Sequence, residues 1–162
     1  HSTRKYLAEA MLWLKVAADA VPGLRLKIIA DFDLPGCGVT TLPVAWRAES
    51  EAQELAASHI GIAPMRDDDW SRGKCALKVL QYMAADLPVV SSKAGANAEV
   101  IVEGETGYLV STTAEWAERI AQLAGDADLR RRLGEAGRRL VETDYSIDAV
   151  FGRMRPVIAS LR

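Results

Sequence analysis

The residues able to do chemistry concentrate between Trp70 and Val90. Arg72, Lys74 and Lys78 cluster around Gly73, where a polar loop gives way to helical spacing. A helix start leaves its first N–H groups without intrahelical partners, and cations beside it favour an anion such as phosphate. Lys74 and Lys78 stand four apart and share one helical face. Cys75 and Ala76 lie between them, at the helix start, and Gln81 follows with an amide that both donates and accepts. This is the chemistry that a nucleotide requires. The neighbouring Asp67, Asp68 and Asp69 read as a solvated turn, because three consecutive carboxylates converge on a cation only in a specific turn. His1 and His59 lack metal-ligand spacing, so no metal site is expected. Cys37 and Cys75 fall in no CxxC or Cys/His pattern and read as unpaired thiols, which suits a reducing, cytoplasmic setting.

Composition narrows the classes further. The 162 residues suffice for one domain with a substantial core. A net charge of -2 argues against broad electrostatic binding to nucleic acid or to an anionic membrane. No apolar run reaches the length of a membrane span.

The elements that must position these residues alternate. Ser2 or Thr3 can cap a helix running to Ala20, with Tyr6, Leu7, Ala10, Met11, Leu14 and Ala17 at helical spacing. Residues 24–30 alternate with β-branched side chains and predict a strand. Residues 40–45 predict a second strand, 49–58 a helix and 60–63 a short buried strand. A polar loop over 64–72 leads to a helix over 73–85. Strand 87–91 follows, then a small-residue loop over 92–97, a helical turn over 99–102 and a strand over 108–110. Helices over 114–123, 127–142 and 147–161 complete the chain. Strands alternating with helices predict a parallel sheet covered on both faces. A doubly wound sheet begins with a strand, whereas this chain begins at a helix cap, so a first strand is expected to be missing. Its loss would leave an open slot at the sheet centre with unpaired edges on both sides.

In this order the motifs resemble the C-terminal, nucleotide-sugar-binding half of the GT-B glycosyltransferases, specifically the retaining group 1 (family four) class. The resemblance rests on Val44-Ala45-Trp46 with the acidic stretch 49–54, Ile60-Gly61-Ile62-Ala63-Pro64-Met65, the helix beginning Gly73-Lys74-Cys75-Ala76, and Leu87-Pro88-Val89-Val90. Gly95-Ala96-Asn97-Ala98-Glu99 and Gly104-Glu105-Thr106-Gly107-Tyr108 close the series. It implies a Rossmann-like three-layer α/β fold over residues 1–145. Residues 146–162 would form a helix that packs on an absent N-terminal domain.

The resemblance also implies the site. The family signature sets two glutamates with seven residues between them, the first for the donor sugar and the second for ribose hydroxyls; here those positions are Gly73 and Gln81. Arg72, Gly73, Lys74, Cys75, Ala76, Lys78 and Gln81 are the expected donor-binding segment. Trp46 borders the base-binding stretch, Gly95 and Asn97 allow close approach of a ligand, and Glu99 reaches a sugar hydroxyl. The implied function is donor binding in an enzyme that moves a sugar from a nucleotide diphosphate sugar to an acceptor with retention. No separate cofactor is expected, catalytic residues are not assigned, and this chain alone is expected to be inactive. The longer protein is expected to be cytoplasmic or membrane-associated. Apolar surface around Val150, Met154, Val157 and Ile158 invites dimerisation or domain swapping. The alternatives are a non-catalytic nucleotide-sugar-binding module, a sugar epimerase of similar fold, and a signalling domain. The last would use Asp31 or Asp33 but lacks the accompanying Thr and Lys.

Overall fold

The computed structural model describes residues 10–160. The caps expected at Ser2 and Thr3, and Tyr6, lie outside them. Helix α1 (Met11–Ala20) leads into strand β1 (Arg25–Ile29), which pairs in parallel with β2 (Thr40–Val44). Helix α2 (Glu51–Ala56) connects to β3 (Gly61–Ala63). Two short helices, α3 (Asp69–Arg72) and α4 (Leu77–Ala84), precede β4 (Val89–Ser92). Helix α5 (Asn97–Val100) and strand β5 (Gly107–Val110) follow, with β3, β4 and β5 parallel and in that order. Helices α6 (Thr113–Gly125), α7 (Ala127–Leu140) and α8 (Ile147–Ser160) end the chain, a π-helical turn at Val141–Tyr145 joining the last two.

Strand alternation sends successive side chains to opposite faces, and the core divides accordingly. Leu26, Ile28, Val90, Tyr108 and Val110 face α1 and α6, with Trp13 and Trp116 stacked 4.1 Å apart between those helices. Ala63, Val89, Val79, Met83, Val100 and Ile101 pack on the other face, under α4 and α5. The result is the expected three-layer α/β architecture with a parallel sheet. On the second face of β1, Lys27 donates to the Glu54 carboxylate at 3.1 Å and to its carbonyl at 2.9 Å, tying α2 to the strand.

Among the described residues the strands form two separate sheets, β1–β2 and β3–β4–β5. Among these residues β1 pairs only with β2 and β3 only with β4, so each has one edge that no described strand covers. A cavity of about 860 Å³ is walled by residues 25–30 and 60–65.

The largest local departure from the sequence reading is at residues 69–76. The expected helix over 73–85 begins only at Leu77, and the expected loop contains α3. The Asp68 side chain accepts from the Ser71 N–H at 2.8 Å while the Ser71 hydroxyl accepts from the Asp68 N–H at 3.1 Å, so a capping box makes α3 a separate turn. Ala76 then adopts φ +53, which breaks helical continuity before α4. The acidic run is therefore structured: Asp68 caps α3, and Asp67 and Asp69 hold Arg72 at 3.1 and 3.3 Å.

Candidate functional site

The site lies beyond the carboxyl ends of the strands. β1 and β2 extend to one side of the open slot, β3 to β5 to the other, so the slot is the point where strand order reverses. Open α/β sheets bind ligands at such points. Residues 73–78 and Gln81 line this end of the cavity together with Pro64, Met65 and Asn97.

The segment that presents them is held from both sides. The Lys74 N–H donates to the Ser71 carbonyl at 3.1 Å, and Ser71 is buried. Gly95, at φ +48, packs so closely that a Cβ there would sit 2.8 Å from the Ser71 oxygen. Its glycine is thus required both by conformation and by the approach of the two loops. The Met65 N–H donates to Ser92 Oγ at 2.9 Å, and Asn97 Nδ2 donates to Ser91 Oγ at 2.9 Å. The loops after β3 and β4 are thereby locked together. Ala76 offers no side-chain cap to α4. The left-handed conformation of a non-glycine residue at that point is costly and marks a segment held by its surroundings.

Charge is unevenly distributed around the cavity. Arg25, Lys27, Lys74, Lys78 and Arg130 line it, while Glu51 is the one carboxylate among the described lining residues. Of these cations, Lys27 is ion-paired to Glu54 at 3.1 Å. Glu51 Oε1 accepts from the Trp46 indole N–H at 3.0 Å and its Oε2 from Gln81 Nε2 at 3.3 Å. Tyr82, next to Gln81, lies against Gly61, where an added Cβ would meet the ring at 2.6 Å. Burial, with a smaller contribution from the Glu51 charge, pushes its phenol up to about 12.

The structure thus brings Gly73, Lys74, Cys75, Ala76, Lys78, Gln81 and Asn97 to one cavity. Trp46 joins them through Glu51. Arg72 turns to Asp67 and Asp69, and its pKa is raised, first by the Asp67 hydrogen bond and the Asp67 charge. Gly95 serves the packing of the loop, and Glu99 is exposed at the start of α5. Glu51 itself was invisible as a site residue, since the sequence shows it only as one of several acids on a short helix. Both cysteines are free, Cys37 buried and Cys75 exposed.

The family model described as glycosyl transferases group 1 matches residues 14–126. The chain belongs to the group 1 glycosyl transferases. Spore coat protein SA of Bacillus subtilis is 41% identical over 68 residues, which are 40% of this chain and 18% of that protein. N-acetyl-alpha-D-glucosaminyl L-malate synthase of Bacillus anthracis is 31% identical over 83 residues, 50% of this chain and 22% of that protein. The matches thus span about a fifth of the length of these curated relatives. Among solved structures, the C-terminal domain of a group 1 family protein, LpcC, from Francisella tularensis aligns with a TM-score of 0.67 at 25% identity. That alignment covers 87% of this chain and 80% of that domain. HepE of Anabaena, solved in complex with UDP-glucose, gives a TM-score of 0.73 at 16% identity over 96% of this chain and 46% of its own. The group 1 assignment and the Rossmann-like C-terminal GT-B architecture agree with the sequence resemblance. No described helix of this glycosyl transferase chain is long and apolar enough to cross a membrane.

Proposed function

We propose that this chain is the donor-binding part of an enzyme that transfers a hexosyl-type sugar from a nucleotide diphosphate sugar to an acceptor, with retention. The observation that carries the reading is the segment Gly73–Lys78. It sets cationic side chains and the uncapped start of α4 at the cavity, beyond the strand ends. Bond breaking in such a transfer places developing charge on the leaving diphosphate. Fixed backbone N–H groups, the positive end of a helix and nearby ammonium groups stabilise that charge without reorganising. Complexes of the HepE relative with UDP-glucose and with UDP support a nucleotide-sugar ligand for this fold.

The reading assigns acceptor binding and any general base to the rest of a longer protein, so the chain alone is expected not to turn over. It assigns a further parallel strand to the open edges of β1 and β3, and a neighbouring domain to α8. That helix exposes Ile147, Phe151, Met154, Val157 and Ile158, while Val150 is half-buried. A second copy of the chain is the competing occupant of that face.

Calorimetric titration of the chain with UDP, GDP and ADP tests the donor site. The expected result is preference for one diphosphate, weakened about tenfold by Lys78→Ala and by Lys74→Ala, in line with the loss of a charge-assisted contact. No binding of any of the three overturns the reading. Gly73, which has no side chain to meet a sugar, favours a second reading as a non-catalytic nucleotide-sugar-binding module. Sugar transfer by the longer protein would exclude it.

A further inference from the structure

We infer that Glu51 is the nucleotide-recognition carboxylate of this site, accepting the vicinal hydroxyls of the ribose, with Trp46 and Gln81 as the residues that position it. The inference rests on the donor-site reading above and adds the residue and the substrate group. Glu51 is the lone carboxylate among the described residues that line the cavity, beside the cations Lys74 and Lys78 and neutral polar side chains such as Gln81 and Asn97. An acid placed there repels phosphate, so it belongs to a part of the ligand that offers donors and carries no charge.

Its hydrogen bonds fit that role. The indole N–H of Trp46 fills one position on Oε1 and the Gln81 amide one on Oε2. Both donors are neutral, and each carboxylate oxygen has a further lone-pair direction for another donor. Two adjacent hydroxyls supply two O–H donors to the two oxygens. Charge-assisted hydrogen bonds of this kind are about twice as strong as neutral ones.

The spacing along α4 agrees. Gln81 lies four positions after Leu77, so the Glu51–Gln81 pair stands about 6 Å along the helix from its start. A diphosphate at the helix start and a ribose one turn further along would occupy both ends of this stretch. Gln81 then holds Glu51 and does not itself need to be an acid. The positions 51 and 81 divide the work: one carries the charge, the other the amide that orients it.

The experiment is calorimetric titration of the chain with UDP, GDP and ADP and with their 2′,3′-dideoxy forms. The wild-type chain is expected to bind its preferred ribonucleotide at least tenfold tighter than the dideoxy form. Glu51→Gln is expected to remove that preference, weakening the ribonucleotide about tenfold and leaving the dideoxy form unchanged. The exchanged pair Glu51→Gln with Gln81→Glu is expected to restore much of it, because the carboxylate returns on the opposite partner. Equal weakening of both ligand forms by Glu51→Gln would reveal a merely structural residue and overturn the inference, as would no effect at all. Absence of binding to every diphosphate by the wild-type chain would instead overturn the donor-site reading beneath it.

Discussion

Two regions of this domain solve the packing problem in opposite ways. Around β4, β5, α6 and α7 the chain is closed: Leu123 and Leu133 are fully buried, and backbone meets backbone without intervening side chains. Gly134 of α7 lies directly on the Asp86 carbonyl, and Gly107 on that of Val89. Between β1 and β3 the described residues leave an opening, with two strand edges unpaired among them and a cavity lined by several cations. Polar side chains there are held by other polar groups, as Glu51 is by Trp46 and Gln81. The contrast teaches that the closed half supplies rigidity, while the open half keeps its hydrogen-bonding capacity for something other than the core.

Substitutions can break that contrast. Gly134→Ala should have the largest effect. Its Cβ would fall inside the van der Waals envelope of the Asp86 carbonyl, forcing α7 off the sheet at a cost of about 3 kcal/mol. The urea midpoint should drop accordingly. A midpoint unchanged from wild type would show that the closed half yields as easily as the open one.

High pH probes the boundary between the regions. The Tyr82 phenol is raised from 10 to about 12, first by burial and then by Glu51. The unfolded chain ionises this group near 10 while the folded chain keeps it protonated. Stability should therefore be level in this respect below pH 10 and fall by about 2 kcal/mol as pH rises toward 12. Thermal melts of Tyr82→Phe should lack that decline. A decline identical in the variant would place its origin elsewhere.

Loss of the α3 cap should be smaller. Asp68→Ala removes the acceptor for the Ser71 N–H and should cost about 1 kcal/mol in chemical unfolding. Because Ser71 supports the Lys74 amide, the same variant should loosen amide exchange at Lys74. Wild-type exchange there would separate the cap from the loop.

Gly73→Ala should be the mildest. A Cβ at this position would meet nothing nearer than the Trp70 carbonyl at 3.7 Å, and the backbone at φ -82 suits any residue. A change within about 0.5 kcal/mol is expected by urea unfolding. A large loss would mean that the open region is as tightly packed as the closed one.

By itself the sequence determined what rests on local periodicity and on composition. The strand at β1, the helices over α6 and α7 and the parallel α/β class follow from spacings of two and of 3.6 residues, which need no distant partner. The cationic helix start at residues 72–78 was legible for the same reason. Its true beginning at Leu77 was not, because the capping box at Asp68 uses a serine three positions on, where a glutamate is the familiar signal. Tertiary structure alone decided that Trp13 would stack on Trp116. It alone decided that Glu51 would meet a glutamine thirty positions away. Each of these contacts depends on where two elements dock, and docking is settled by the burial of whole faces, which no spacing within a single segment records.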